Sequence, residues 1–279
     1  MEKSIILLIL VFTLSMLSYS QDTTQQKNDA SKTSTDTEIQ KKETQQDNAQ
    51  SDASESESSG STANMTDTEI LELLLQANNN LNWSIDDIAK FKNNRVVSLN
   101  LNNKNIGKEG ISKLIPEIGG LTELTKLTIN DNDLIFIPPS LFTLSNLTHL
   151  EIRNNSLMSL PGAISQLKNL RVLDLRNNQL SELPPEIGML KSLYKLHLWG
   201  NNFVILPSEI GDLTGLRELF LKGNRLTDLP VNITKLNLKY LDILDNKLCT
   251  VSEPIDGWLK KFDKRYRTFQ KCVGVKRFK

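Results

Sequence analysis

The sequence predicts an α/β solenoid, a stack of about seven short units whose strands form one curved parallel sheet with a concave face, closed at both ends by helical caps. Three observations predict it. Leu124, Leu147, Leu170, Leu193 and Leu216 return at intervals of 23 residues. Inside each interval apolar residues alternate over a short run, as at Leu173 and Leu175, which is the period of a strand with one face buried. A unit of that size cannot bury its apolar face alone, so neighbouring units must stack on one another.

The regular units are flanked by irregular ones that begin at Val96, 28 residues before Leu124, and at Leu238, 22 residues after Leu216. The fourth unit shows the whole pattern: Leu170, Leu173, Leu175, Asn178, Leu180, Leu183, Pro184, Ile187 and Leu190. Asn132, Asn155, Asn178, Asn201, Asn224 and Asn246 fall just past the strands, where an amide can satisfy backbone groups exposed by a turn. Pro138, Pro161, Pro184, Pro207 and Pro230 fix the backbone at the start of each return segment. Ile164, Ile187, Ile210 and Ile233 then point back into the core.

This L-x-x-L-x-L-x-x-N-x-L core followed by LPxxIxxL resembles the leucine-rich-repeat family over residues 96–251. The resemblance implies a horseshoe that binds macromolecules on its concave face. The variant is similar to repeats of bacterial secreted and surface proteins, commonly adhesion or host-interaction factors, and of intracellular Ras-pathway signalling scaffolds. The first unit departs from it, with Lys104 where asparagine belongs, and its "NIGKEGISKL" resembles the longer ribonuclease-inhibitor type with a true helix on the convex side.

Outside the repeats the composition changes. Lys3 and an apolar run from Ile5 to Leu17, then Ser18 and Ser20, predict a secretory signal peptide over 1–20, which leaves no transmembrane helix in the mature chain. Residues 21–64 hold one aliphatic side chain larger than alanine, Ile39, and no aromatic ring, and are predicted to be a disordered polar tether. Residues 65–95 form the predicted N-terminal helical cap, starting at Thr66 and Glu69 in capping-box spacing, with Trp83 in its core. Residues 252–279 form the C-terminal cap, with Ile255, Trp258, Leu259 and Phe262 on one helical face. Cys249 and Cys272, the only cysteines, bracket that cap and predict one disulfide in an exported protein.

The residues between the strand leucines form lateral rows on the open face. One row reads Asn100, Thr128, Glu151, Asp174, His197, Phe220, Asp242, and the next outward Asn102, Asn130, Arg153, Arg176, Trp199, Lys222, Leu244. Small polar residues fill the first units. Glu151 and Asp174 lie among Arg153, Arg171 and Arg176 in the middle, and Tyr194, His197, Trp199, Phe220, Tyr240 and Leu244 gather in the last three. A folded sheet does not need exposed tryptophan beside phenylalanine, and aromatic side chains with arginine nearby are the usual anchors of interfaces. The predicted partner-binding residues are therefore Tyr194, His197, Trp199, Phe220, Tyr240, Leu244, Arg153 and Arg176.

Other classes fare worse. The two histidines, His149 and His197, lie two strands apart, too far to share a metal. No nucleophile motif or phosphate-cradling loop is present, so neither enzyme chemistry nor a cofactor is expected. Equal numbers of basic and acidic residues, 33 of each, give no argument for nucleic acid. Residues 252–279 carry nine basic and three acidic residues, which leaves a polyanion contact at the C-terminal cap as an alternative. The expectation is an exported, secreted or surface protein that binds a macromolecule on its concave face, with an intracellular scaffold as the other alternative.

Overall fold

The computed structural model describes residues 65–78, 83–106 and 114–272. The predicted signal peptide (1–20), the tether (21–64), most of the helix expected in the first unit (107–113) and the last residues (273–279) lie outside them.

Seven parallel strands, one per unit, stack in sequence order: β2 (Arg95–Asn100), β3 (Lys126–Thr128), β4 (His149–Glu151), β5 (Val172–Asp174), β6 (Lys195–His197), β7 (Glu218–Phe220) and β8 (Tyr240–Asp242). Their register places Leu99, Leu127, Leu150, Leu173, Leu196, Leu219 and Leu241 side by side. All but Leu241 are fully buried. A one-residue slip would turn this whole row to solvent, so the leucines set the register. Behind the sheet, each return segment is a single 3-10 turn, such as Pro185–Met189 and Ser208–Asp212. The prolines predicted to start these segments precede them as caps with φ between −62° and −67°, the angle their rings impose. Ile164, Ile187, Ile210 and Ile233 are fully buried behind them.

The asparagines join unit to unit. Asn178 donates to the carbonyls of Ile152 (2.8 Å) and Leu175 (3.0 Å) and accepts from the Leu157 N–H (3.0 Å). Asn155, Asn201, Asn224 and Asn246 repeat this pattern, each reaching back to the preceding unit. The residue before each of these, and before Asn132, takes a left-handed backbone: Asp131, Asn154, Asn177, Gly200, Gly223 and Asp245 have φ between 52° and 71°. These are the residue types that tolerate that region. At Gly200 a Cβ would stand 2.2 Å from Asn177 Oδ1, so any larger residue there must displace that amide as well as adopt the left-handed backbone.

Both ends imitate a neighbour. On the N-terminal side Thr66 and Glu69 complete the capping box of α1 (Asp67–Ala77), which buries Ile70, Leu71 and Leu74. Buried Asp67 accepts from the Val96 N–H (2.6 Å) and from Arg95 Nε (3.0 Å), fixing α1 to β2. The predicted helical cap over 65–95 is helical only in part. After α2 (Ile85–Ile88) the chain forms β1 (Ala89–Lys92), antiparallel to β2. Asn93 (φ 50°) and Asn94 (φ 60°) supply the left-handed pair that a two-residue hairpin requires.

On the C-terminal side Gln270 does the work of the next asparagine: its Nε2 donates to the Ile243 carbonyl (3.2 Å) and its Oε1 accepts from the Leu248 N–H (3.3 Å). Helix α3 (Glu253–Leu259) buries Ile255, Trp258 and Leu259, and Phe262 meets Trp258 edge-on at 5.1 Å. Asp256 is the polar centre of this end, bound by Lys260 (2.5 Å), the Tyr266 hydroxyl (2.7 Å) and Arg267 (2.8 Å). Its hydrogen bonds from Lys260 and Tyr266 hold its carboxyl below the usual carboxylate range. Cys249 and Cys272 are joined by a disulfide, with their Cα atoms 5.9 Å apart.

Replacing Asn178 by alanine leaves a buried N–H and buried carbonyls without partners and should cost about 2 kcal/mol or more. Asn169→Ala, whose exposed amide reaches only the Ser145 carbonyl, should cost well under half as much. Urea unfolding of both variants measures the difference.

Candidate functional site

Seven of the eight predicted partner-binding residues are out of step with the buried leucine row and so turn to the solvent face of the sheet; Tyr194, in step with Leu196, is the exception. The structure divides them into groups. His197 and Phe220, adjacent in register on β6 and β7, stack with centroids 4.2 Å apart and planes within 4°. Tyr240 on β8 continues the stack at 4.9 Å from Phe220 and is 50% exposed. Beside it Arg176 lies over the Trp199 ring at 5.8 Å. Arg153 occupies the place next to Arg176, one strand earlier. Tyr194 belongs elsewhere: with His149, Arg171 and Lys191 it lines a cleft of about 990 Å³ at the start of the strands. Leu244 lines a smaller cleft of about 240 Å³ between β8 and the C-terminal cap.

The opposite end of the face is self-satisfied. Asn102 Oδ1 accepts from the Asn130 N–H (2.7 Å), and Asn130 Oδ1 from the Arg153 N–H (2.9 Å). Thr128, Asn130 and Asp174, expected to face solvent, are buried. Of the predicted pairing of Glu151 and Asp174 with three arginines, only Asp174 with Arg176 forms. Asp174 binds Arg176 at 2.7 Å, whereas Glu151 binds Lys126 at 3.5 Å and Asn130 at 3.3 Å. Arg153 and Arg171 make no salt bridge among the described residues. The reason is positional: Lys126 adjoins His149 in register and reaches sideways along the row, while Arg153 extends past Glu151 along its own strand.

Sequence reasoning placed Phe262 on the covering face of the cap and missed Asp263 and Tyr266; all three wall the cleft beside Leu244. No repeat periodicity marks them, since they come from the cap. It also missed Gln270, although an amide residue 24 positions after Asn246 was a readable signal.

The comparisons with known proteins agree with this architecture. The profile of a leucine-rich repeat region matches residues 143–220 and 162–255. The stacked units are leucine-rich repeats. Among solved structures, a leucine-rich-repeat protein of Leptospira interrogans is 37% identical over 59% of this chain and 41% of its own, with a TM-score of 0.53. The ectodomain of the receptor kinase SOBIR1 from Arabidopsis thaliana is 25% identical over 60% of this chain and 97% of its own, with a TM-score of 0.49. The plant peptide hormone receptor RGFR1, solved in complex with RGF2, is 34% identical over 52% of this chain and 24% of its own, with a TM-score of 0.46. The chain thus spans less than half the length of the Leptospira protein and of RGFR1. No curated protein matches it.

Within these leucine-rich repeats the histidines are unlike free imidazoles. Burial lowers the His197 pKa from its ordinary 6.5, with Asp174 pulling the other way, and burial with Lys126 lowers that of His149. His197 Nδ1 is buried and without a hydrogen-bond partner. As pH falls through about 6.5 the unfolded chain takes up protons before the folded one. The stability tied to neutral His197 is therefore complete above that value and declines below it, towards the lowered folded value. Thermal melts of His197→Gln between pH 7.5 and 5 should fall less steeply than those of the parent.

Proposed function

We propose that this protein is an exported binding module that holds a protein partner on the open face of its leucine-rich repeats, anchored in the last three units. The observation that carries the reading is the half-exposed stack of His197, Phe220 and Tyr240 beside Trp199 and Arg176. Three aromatic rings in contact on the solvent side of a sheet contribute nothing to the leucine core. Such rigid, amphipathic surfaces are typical interface anchors.

The size of the face supports anchored rather than diffuse binding. Six strand steps of about 4.8 Å and a width of about 17 Å give about 500 Å², short of the roughly 800 Å² per partner of a standard interface. A partner must draw its energy from a few deep contacts or reach the neighbouring clefts. The disulfide at the C-terminal end supports export over an intracellular scaffold. Among the described residues no helix is long and apolar enough to cross a membrane. At the basic C-terminal cap Lys260 and Arg267 are both committed to Asp256, so the alternative of a polyanion site rests on the other basic residues of the cap. Binding is favoured over catalysis, since Glu151 and Asp174 are each held by a neighbouring cation.

The test is a pull-down with the full mature chain, comparing the parent with Trp199→Ala and Phe220→Ala. Each substitution should weaken capture of a specific partner by about 2 kcal/mol or more while leaving the melting temperature nearly unchanged. Asn102→Ala should be close to neutral for capture. Loss of capture that merely follows loss of thermal stability would make the aromatic cluster packed structure and contradict the reading.

A further inference from the structure

The open face carries more positive charge than its own carboxylates neutralise. The lateral rows that start at Val97, Ser98, Asn100 and Asn102 hold eight basic and four acidic side chains. Lys126, Arg176 and Lys195 are each tied to one of those carboxylates. Arg153, Arg171, Arg217 and Lys239 have no ion pair among the described residues, and Arg217 spends donors on the carbonyls of Thr214 and Leu216.

Arg153 differs from the others in its surroundings. It is half-buried, and its Nε is enclosed without a hydrogen-bond partner, as is the Nε of its neighbour Arg176. A desolvated guanidinium with an unanswered N–H is costly, and two side by side add repulsion to that cost. Asp174 answers only Arg176, from the inner side of the row. Trp199 holds the Arg176 guanidinium from the other flank. A planar carboxylate arriving from solvent over Arg153 and Arg176 would neutralise the excess charge, and guanidinium is the cation whose forked donors match it.

The place of this pair relative to the aromatic stack sets the spacing of the ligand. Phe220 lies two strands beyond Arg176 and three beyond Arg153, and two residues back along the strand. At about 4.8 Å per strand and 3.3 Å per residue, these offsets give about 12 Å and 16 Å, or four to five residues of extended chain. Resting on the binding reading above, we propose that Arg153 and Arg176 form an anion seat, and that the partner's bound segment is an extended chain carrying an Asp or Glu about four or five residues from a large apolar side chain on the His197–Phe220–Tyr240 stack.

Random linear peptides displayed and selected on the full chain test this. Peptides enriched on the parent should carry an acidic and a large apolar residue at that separation. Arg153→Gln should weaken a selected peptide by about tenfold or more, with the loss shrinking at high salt, and Arg153→Lys should restore part of it. Changing the peptide's acidic residue to its amide should cost little further in Arg153→Gln. Arg153 makes no ion pair among the described residues, so its variants should melt no lower than the parent, and circular dichroism checks this. Selected peptides that depend on Phe220 but not on Arg153, or that lack an acidic residue, would overturn the anion seat and leave the apolar anchor standing. Peptides indifferent to Phe220→Ala as well would remove the binding reading itself.

Discussion

The buried asparagine amide is the constraint on which the rest of the structure depends. After each strand the chain must turn out of the sheet, and the turn leaves backbone N–H and carbonyl groups facing the apolar interior. Asn155, Asn178, Asn201, Asn224 and Asn246 answer those groups within their own unit and in the unit before. Leucines make stacking favourable and forbid a one-residue slip, but a slip of two residues would keep the row turned inward. The amides bond only when successive units stand in one register, and that register places His197 against Phe220 and Arg153 beside Arg176.

The same demand explains the ends. A terminal unit has no neighbour to supply the amide or the adjacent strand, so something else must. At the N-terminal side an antiparallel strand and the carboxylate of Asp67 meet β2. At the C-terminal side Gln270 reaches the groups that a seventh asparagine would have met, while the disulfide and the contacts of Asp256 hold its segment in place. Stability here is a property of interfaces between units, with each end a substitute interface.

Much of the fold was legible because periodicity repeats the same evidence several times. The strand leucines, the prolines opening the return segments and the asparagines were each readable from the chain and do what their chemistry demands. The ends were less legible because each occurs once. β1 was hidden among residues with helical spacing, and only the Asn93–Asn94 pair betrayed the hairpin. On the open face the sequence identified the right surface but not its internal order. Alternation tells which side of a strand a residue leaves from, not whether a neighbouring side chain then covers it. Asp174 is buried for that reason, at 3% exposure, while Tyr240 stands half free. Tyr194 and Leu244 share the apolar character of the stack but lie at its margins, a distinction set by lateral position that no single unit encodes.

Native-state hydrogen exchange tests the asparagine constraint most directly, at the N–H groups of Leu157, Leu180, Phe203 and Leu226, whose acceptors are the Oδ1 atoms of the next unit's asparagines. If these amides govern stacking, the four protons should exchange only through openings nearly as costly as unfolding of the repeats around them, and as slowly as the strand amides of Leu173 and Leu196. Exchange at the rate of the turn amides of Ser145 and Lys168 would contradict it, and would mean that leucine packing alone sets the register.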